Sequence, residues 1–485
     1  MRNYLALVCC SLLALMALAA PVKENEEMRE KEVKIMVVSD LHLLAPSLYD
    51  DGKAAQNLAL SDMKLVLKSD VIVDRMVDEI IKEKPQLLLI TGDLTFNGAR
   101  ASHEQIVSHL ARLAQSGVRT LVIPGNHDVN CPYSKNYTGE SPEPVATVTS
   151  EEFAQLYAPF GYGAESERDP NSLSYTCEPI AGLVLLCIDS NRYDENRLGV
   201  DGEKVMYHND GAVKPETLEW IKGQLAKAQS GGKRVLAMMH HHLVEHIDGE
   251  AKVLPNYIVA NHKEVAQVLR DGGVKMVLTG HLHITDAASD GGIVDVATGS
   301  ASTYPLPMRT LTIDADSLRV DTRFFDGIDE DLLEQGRLKV ANSAGAVAGL
   351  VSRRLWSKMS GRMEQLEQML EMQGAEVRRL PQNAQEFSEL LLRHMREPLA
   401  QSMVSVTCGG EDPKQASAVI EAVKQGVRGM MCEIIPDGGE MVAEFLIEEL
   451  MPRFEPSLRS ALEDLNHVGT NEESSTNDHR LSVKF

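Results

Sequence analysis

Five short runs of the chain, Ile35 to Val38, Leu87 to Ile90, Thr120 to Ile123, Val235 to Met239 and Lys275 to Leu278, are apolar and lack alternation. A strand with one wet face alternates, so strands of this kind are buried on both faces and belong to a sheet covered on either side. Helical spacing fits between them. Asp70 to Lys82 carries apolar residues at 71, 73, 76, 77, 80 and 81, and His103 to Ala114 places Ile106, Val107, Leu110 and Leu113 on one side. The pattern predicts an α/β fold.

Each run ends in polar residues: Asp40-Leu41-His42, Gly92-Asp93, Gly125-Asn126-His127-Asp128, His240-His241-His242 and Gly280-His281-Leu282-His283. In α/β sheets the crevice beyond the carboxyl ends of the strands is where ligands gather, so these distant residues are expected to converge. A lone Gly-Asp is an ordinary turn dipeptide. Together, however, the stretches supply carboxylate, imidazole and amide oxygen donors, a set suited to two neighbouring divalent metals such as Zn, Fe or Mn.

In these motifs and their order the chain resembles the calcineurin-like metallophosphoesterases, whose pattern is D-x-H, G-D, G-N-H-[DE], a later H and G-H-x-H. The matching region covers roughly the first two-thirds of the chain. The resemblance implies a two-sheet α/β sandwich flanked by helices, and a phosphoesterase activity with two metals. It implies Asp40, His42, Asp93 and His283 around the first metal, and the bridging Asp93 with Asn126, an isolated histidine and His281 around the second. His240, the first residue off its strand, best matches the isolated histidine; His241 is the alternative, since three histidines stand in a row. His127 is implied as a group that meets the phosphate and helps the leaving group.

The residue types suit that chemistry. Paired cations about 3.5–4 Å apart lower the pKa of bound water and clamp phosphoryl oxygens, so metal-bound hydroxide attacks the ester in line. Asp93 has two oxygens with which to bridge, and Asn126 contributes a neutral oxygen that leaves the metals electrophilic. His127 is placed to protonate the departing alkoxide. The substrate class is a small phosphorylated molecule, with a phosphodiester or nucleotide favoured. The reading from a different class is a non-catalytic protein that uses the metals to hold a phosphorylated ligand or partner.

Other polar residues receive plainer readings. His241 and His242 are expected to support ligands, and His103, His109, His208, His246 and His262 to be surface or loop residues. Arg192 is read as a solvated loop arginine in preference to a phosphate contact. Asp128 either ends its turn or orients His127.

Arg2 precedes the apolar stretch Leu5 to Leu18, and Ala17-Leu18-Ala19 is a small-x-small cleavage pattern, so residues 1–19 read as a signal peptide. The stretch is shorter than the ~20 residues a spanning helix needs. Periplasmic or secreted localisation follows, with no transmembrane segment in the mature chain. Cys131, Cys177, Cys187, Cys408 and Cys432 remain, and Cys131 with Cys177 or Cys408 with Cys432 are candidate disulfides. A net charge of -23 argues against a nucleic-acid polymer as partner.

The 485 residues suggest two or three domains. The catalytic region is expected over 20–327, and Cys131 to Asn171 reads as a long insertion that walls the cleft. A helical domain is expected over 328–468, from stripes such as Leu366, Met369 and Leu370, then Phe387, Leu390, Leu391 and Met395, then Val419, Ile420, Val423, Val427 and Met431. Asp412 before Pro413 marks a helix start, and Pro452 and Pro456 should interrupt or bend the last helix. This domain reads as a packing, lid or oligomer-contact module. Residues 469–485 are expected to be a disordered tail.

Overall fold

The computed structural model describes residues 32–197, 205–314, 317–362, 368, 380–409, 413–463 and 480–484. The proposed signal peptide, the Leu366-Met369-Leu370 stripe, Asp412 and residues 469–479 lie outside them. Among the described residues, no helix is long and apolar enough to cross a membrane.

The strands are β1 (Val33–Val38), β2 (Leu87–Ile90), β3 (Arg119–Val122), the small pair β4 (Lys135–Asn136) and β5 (Glu143–Pro144), β6 (Glu167–Arg168), β7 (Tyr175–Ile180), β8 (Leu183–Ile188), β9 (Arg234–Met239), β10 (Met276–Thr279), β11 (Asp286–Asp290), β12 (Ile293–Ala297), β13 (Pro307–Ile313), β14 (Ser317–Phe324) and β15 (Arg480–Lys484). They form a 6-stranded sheet, β15-β14-β13-β1-β2-β3, and a 7-stranded sheet, β11-β12-β10-β9-β8-β7-β6. All five non-alternating runs became strands within a residue or two of the expected bounds, and β1 to β3 and β8 to β10 pair in parallel.

Four helices cover the sheets, which is why those strands show no wet face. The apolar stripes of α1 (Ser69–Glu83) and α2 (Arg100–Gln115) pack on the first sheet through Ile72, Met76, Ile106 and Leu110. The second sheet is covered by α3 (Pro215–Ser230) and α4 (His262–Asp271) through Leu218, Ile221, Val265 and Leu269. Between the sheets lies the main core, which holds Ile35, Val37, Leu89 and Leu121 of the first sheet and Leu236, Met238, Leu278 and Val296 of the second.

Polar side chains also join the sheets. Tyr175 of β7 donates its buried hydroxyl to Val122 O of β3 at 2.9 Å. Arg309 of β13, fully buried, donates to Ala297 O and, at 3.2 Å, to Asp286 O of the other sheet.

After β14 the chain is helical: α5 (Glu330–Asn342), α6 (Ala344–Met359), α7 (Ala384–Thr407), α8 (Pro413–Ile434) and α9 (Gly439–Glu463). Two expectations need correction here. Pro452 and Pro456 do not interrupt the last helix but lie inside α9, where Ile447 and Met451 pack on Ile420 before them and Leu462 packs on Val419 after them. That packing outweighs a local proline penalty of about 3 kcal/mol. The second concerns the tail. Residues 480–484 are not disordered: they form β15, an edge strand whose Leu481 is buried in the main core and whose register sets Val483 opposite Leu318.

All five described cysteines are free thiols, so neither candidate disulfide is present. Cys177 stands in β7 opposite Leu185, while Cys131 lies beside Asn97 in the loops after β2 and β3. The histidine readings also change. His103 is buried and bonds Tyr157 Oη and Asp128 O, each at 2.9 Å; His109 bonds Asp70 at 2.8 Å; and His246 is buried against Asp286 and Asp295. His103 lies seven residues before Leu110 on the same core-facing stripe of α2, a spacing visible in the sequence.

The sheet-to-sheet bond gives a test. Tyr175→Phe removes the donor to Val122 O and is expected to cost about 1–2 kcal/mol, read as a lower thermal midpoint. An unchanged midpoint would show that this bond contributes nothing net.

Candidate metal centre

The ligand-bearing segments leave the carboxyl ends of parallel strands, three from the first sheet and two from the second. Val38, Ile90 and Val122 stand level in register, so β1, β2 and β3 release Asp40, Asp93 and Asn126 at one height. Backbone pairing continues past the strands, with Asp40 N bonded to Gly92 O, His42 N to Asp93 O and Gly280 N to His240 O, all at 3.0 Å. Under this rim Thr91 Oγ1 donates to Ser39 Oγ at 2.7 Å, and Thr91 O accepts from His240 Nδ1 at 2.9 Å.

Close approach explains the glycines before the ligands. A Cβ on Gly125 would lie 2.1 Å from Asp93 Oδ1, and one on Gly280 would lie 2.5 Å from Asp40 Oδ2. The ligand segments are themselves contorted. Asp40, His42, Asp93, His281 and His283 all have positive φ, between 42° and 71°, a conformation that costs non-glycine residues free energy and persists where surrounding structure imposes it.

All eight expected residues come together. Asp40, His42 and His283 form one potential ion-binding group, Asp93, His240 and His281 another, and His42, Asp93 and His127 a third between them. In the first group His42 Nε2 and His283 Nε2 stand 3.0 Å apart, and Asp40 Oδ1 lies 3.2 Å from His283 Nε2. That carboxylate oxygen is buried without a hydrogen-bond partner, whereas Asp40 Oδ2 accepts from Ser39 Oγ and His281 N. A buried orphan oxygen beside two facing imidazole nitrogens fits a divalent cation of the Zn, Fe or Mn type.

The second group is similarly prepared. His240 Nδ1 donates to Thr91 O, which leaves Nε2 facing Asp93 Oδ2 at 3.4 Å and Asn126 Oδ1 at 3.1 Å. His281 Nε2 donates to Asn256 O at 3.1 Å, so Nδ1 is its available ligand atom. Such outer bonds fix the tautomer of a ligating histidine. His241, the alternative to His240, has both nitrogens engaged, Nδ1 with Ser190 Oγ at 2.8 Å and Nε2 with Asn209 O at 3.3 Å. His242 engages Glu250 through Nδ1 at 2.8 Å.

Asp93 connects the groups through one oxygen where two were expected. Oδ2 lies 3.5 Å from His42 Nε2 and 3.4 Å from His240 Nε2, whereas Oδ1 accepts the His127 amide at 2.9 Å. Burial pushes the Asp93 carboxyl up, but the neighbouring His240 and His127 outweigh it and hold it well below the usual range. In return His240, pulled down by burial, is raised by Asp93 to about 9. Burial lowers His42 to about 3.

His127 Nδ1 lies 2.6 Å from Asn97 Oδ1, and its Nε2 lies 3.9 Å from Asp93 Oδ2. Burial lowers His127 to about 4 against the opposing pull of Asp93. Asp128 ends its turn, its amide bonded to Gly125 O at 3.2 Å. It ties two ligand loops together, accepting from Gly125 N, Leu94 N and Thr95 N at 2.8–3.0 Å, and burial with the charge of Asp93 raises it to about 7. Arg192 is paired to Glu195 and Asp210.

Sequence reasoning missed Asn97 and Tyr207. Asn97-Gly98 carried a turn signature that located the bend but not its role. Tyr207 Oη, 2.6 Å from Asn126 Nδ2, sits in a segment with no motif. The expected wall from Cys131 to Asn171 contributes Tyr133, whose ring lies 5.2 Å from that of Tyr207.

Metal titration separates the ligand roles. Asp93→Asn is expected to weaken both metal positions, His240→Ala one of them, and His241→Ala neither by more than the 10–100-fold typical of supporting residues. Two-site binding kept in His240→Ala and lost in His241→Ala would reverse the assignment.

Residues 33–285, more than half of the chain, match the family model described as calcineurin-like phosphoesterase. The chain is 26% identical over 290 residues to a "Probable cyclic nucleotide phosphodiesterase" of Rhodococcus erythropolis, a match covering 59% of this chain and 76% of that protein. Among solved structures it is similar to a dimetal phosphatase from Danio rerio, with a TM-score of 0.42, 16% identity, and coverage of 61% of this chain and 97% of the other. With its motifs set at the carboxyl ends of two facing sheets, the chain belongs to the calcineurin-like phosphoesterase family and is a metal-dependent phosphoesterase.

Proposed function

We propose that the chain hydrolyses small phosphodiesters, cyclic nucleotides among them, at a dinuclear centre held by Asp40, His42, Asp93, Asn126, His240, His281 and His283. The observation that carries this reading is the convergence of two prepared ligand groups on the single oxygen Asp93 Oδ2. The named relative supports the diester preference. When bound, two divalent cations supply a nucleophile at neutral pH and positive charge for the phosphoryl oxygens.

The protein's own residues do the rest. Asp93 offsets charge between the two positions, and the neutral Asn126 leaves that charge available to the substrate. His127 donates to the departing oxygen from Nε2. With Nδ1 already donating to Asn97 Oδ1, this requires the imidazolium form. Burial opposes that form, but an arriving phosphate ester adds negative charge that acts in the same direction as Asp93.

The metal-loaded chain is expected to cleave bis-p-nitrophenyl phosphate faster than p-nitrophenyl phosphate and to lose activity to a chelator. A preparation with two metals bound and no turnover on either ester would favour a binding protein. His127→Ala is expected to slow an alkyl diester by about 10²–10⁴-fold and a nitrophenyl ester less, because nitrophenolate leaves without a proton. Equal losses with both metals retained would assign His127 to phosphate positioning.

We also propose export to the periplasm or medium, on the apolar stretch and the Ala17-Leu18-Ala19 pattern. N-terminal sequencing of the exported protein should begin at Ala20. An N-terminus still at Met1 would overturn it.

A further inference from the structure

An asparagine ligand poses an orientation problem that a carboxylate does not. The oxygen and NH2 of its amide are nearly the same size, yet only the oxygen binds a cation. Asn126 therefore needs a neighbour that distinguishes the two. That neighbour is Tyr207. Its Oη lies 2.6 Å from Asn126 Nδ2 and 3.4 Å from the Asn126 main-chain oxygen.

A tyrosine hydroxyl has one proton. Directed to the main-chain oxygen of Asn126, it leaves Oη only able to accept from the side-chain amide. The NH2 is thereby drawn towards Tyr207, and Oδ1 turns to the opposite side, where it stands 3.1 Å from His240 Nε2. The reverse orientation would set Oδ1 against a lone pair of Oη.

Tyr207 is itself braced. Arg197 and Met206 exchange two backbone bonds, at 2.9 and 3.2 Å, and His208 N donates to Asn196 Oδ1 at 2.8 Å. Asp210 is held by Arg192 and by His208 Nδ1, and the Tyr207 ring packs edge-on to Tyr133. An orienting hydroxyl on a loose segment would select nothing; here the segment is pinned on both sides of the ring.

We propose that Tyr207 is a positioning residue for the metal position of Asn126, His240 and His281, selecting the amide orientation that presents Asn126 Oδ1 to the cation. The inference rests on the reading of Asn126 as a ligand. It extends that reading to a residue that no ligand motif contains.

The test is calorimetric titration of Mn2+ into the full chain, first stripped with a chelator, for wild type, Tyr207→Phe, Asn126→Asp and the double variant. Tyr207→Phe is expected to weaken one of two metal positions by about 10–100-fold, with the other position and the thermal midpoint unchanged. In the Asn126→Asp background, where both side-chain terminal atoms are oxygens, Tyr207→Phe is expected to have little further effect, a coupling that a merely structural tyrosine would not show. Equal two-site binding in wild type and Tyr207→Phe, or the same loss in both backgrounds, overturns the role of Tyr207 and leaves the dinuclear reading intact. Fewer than two positions in wild type would instead overturn the dinuclear reading, and this inference with it.

Discussion

Two carboxylates taken out of water, Asp40 and Asp93, set the terms for the rest of this structure. They are 0% and 1% exposed, and burying an ion costs several kcal/mol unless charge and hydrogen bonds offset it. Each carboxylate resolves the cost in the same way. One oxygen is satisfied by the protein, Asp40 Oδ2 by Ser39 Oγ and His281 N, Asp93 Oδ1 by His127 N. The other, Oδ1 of Asp40 and Oδ2 of Asp93, is turned towards imidazole nitrogens. The satisfied oxygens fix the orientation of the groups, and the remaining ones define where a cation fits.

That arrangement demands the unusual backbone around it. Left-handed conformations at Asp40, His42, Asp93, His281 and His283 turn each side chain inward directly after its strand, at a cost of order 1–3 kcal/mol apiece. The ladder between β1 and β2, extended by the Asp40, His42 and Leu43 amides, holds the first two turns in place. A sheet buried on both faces is stiff enough to impose this. The same burial erased alternation from the sequence of those strands.

What could be read from the sequence follows from that coupling. The five apolar runs, the motifs at their ends and the helical spacing of α1 and α2 are all local patterns, and each was legible. His240 could not be separated from His241 by position alone, because the distinction lies in Ser190 and Asn209, which come from other segments. Tyr207 left no trace for the same reason. β15 was hidden by a polar stretch before it: Leu481 and Val483 give only a weak alternation, and what makes them a strand is the waiting edge of β14. The prolines of α9 misled in the opposite direction, since a strong local rule was overridden by packing on both sides of them.

The helical region joins the same logic through the loops it touches. Gly336 of α5 faces Leu65 and Tyr304 so closely that a Cβ there would stand 3.2 and 3.4 Å from them, and Lys339 Nζ donates to Asp62 O at 2.8 Å. Leu65 N in turn bonds Ser302 O at 2.8 Å. From that loop Ser300 Oγ donates to Asp40 O at 2.7 Å, and Thr303 Oγ1 stands 3.5 Å from His283 Nδ1. A chain of packed and hydrogen-bonded groups thus runs from α5 to the backbone of one buried carboxylate and the ring of its neighbouring histidine. It gives α5 a physical part in holding the first ligand group, although none of its own residues belongs to that group.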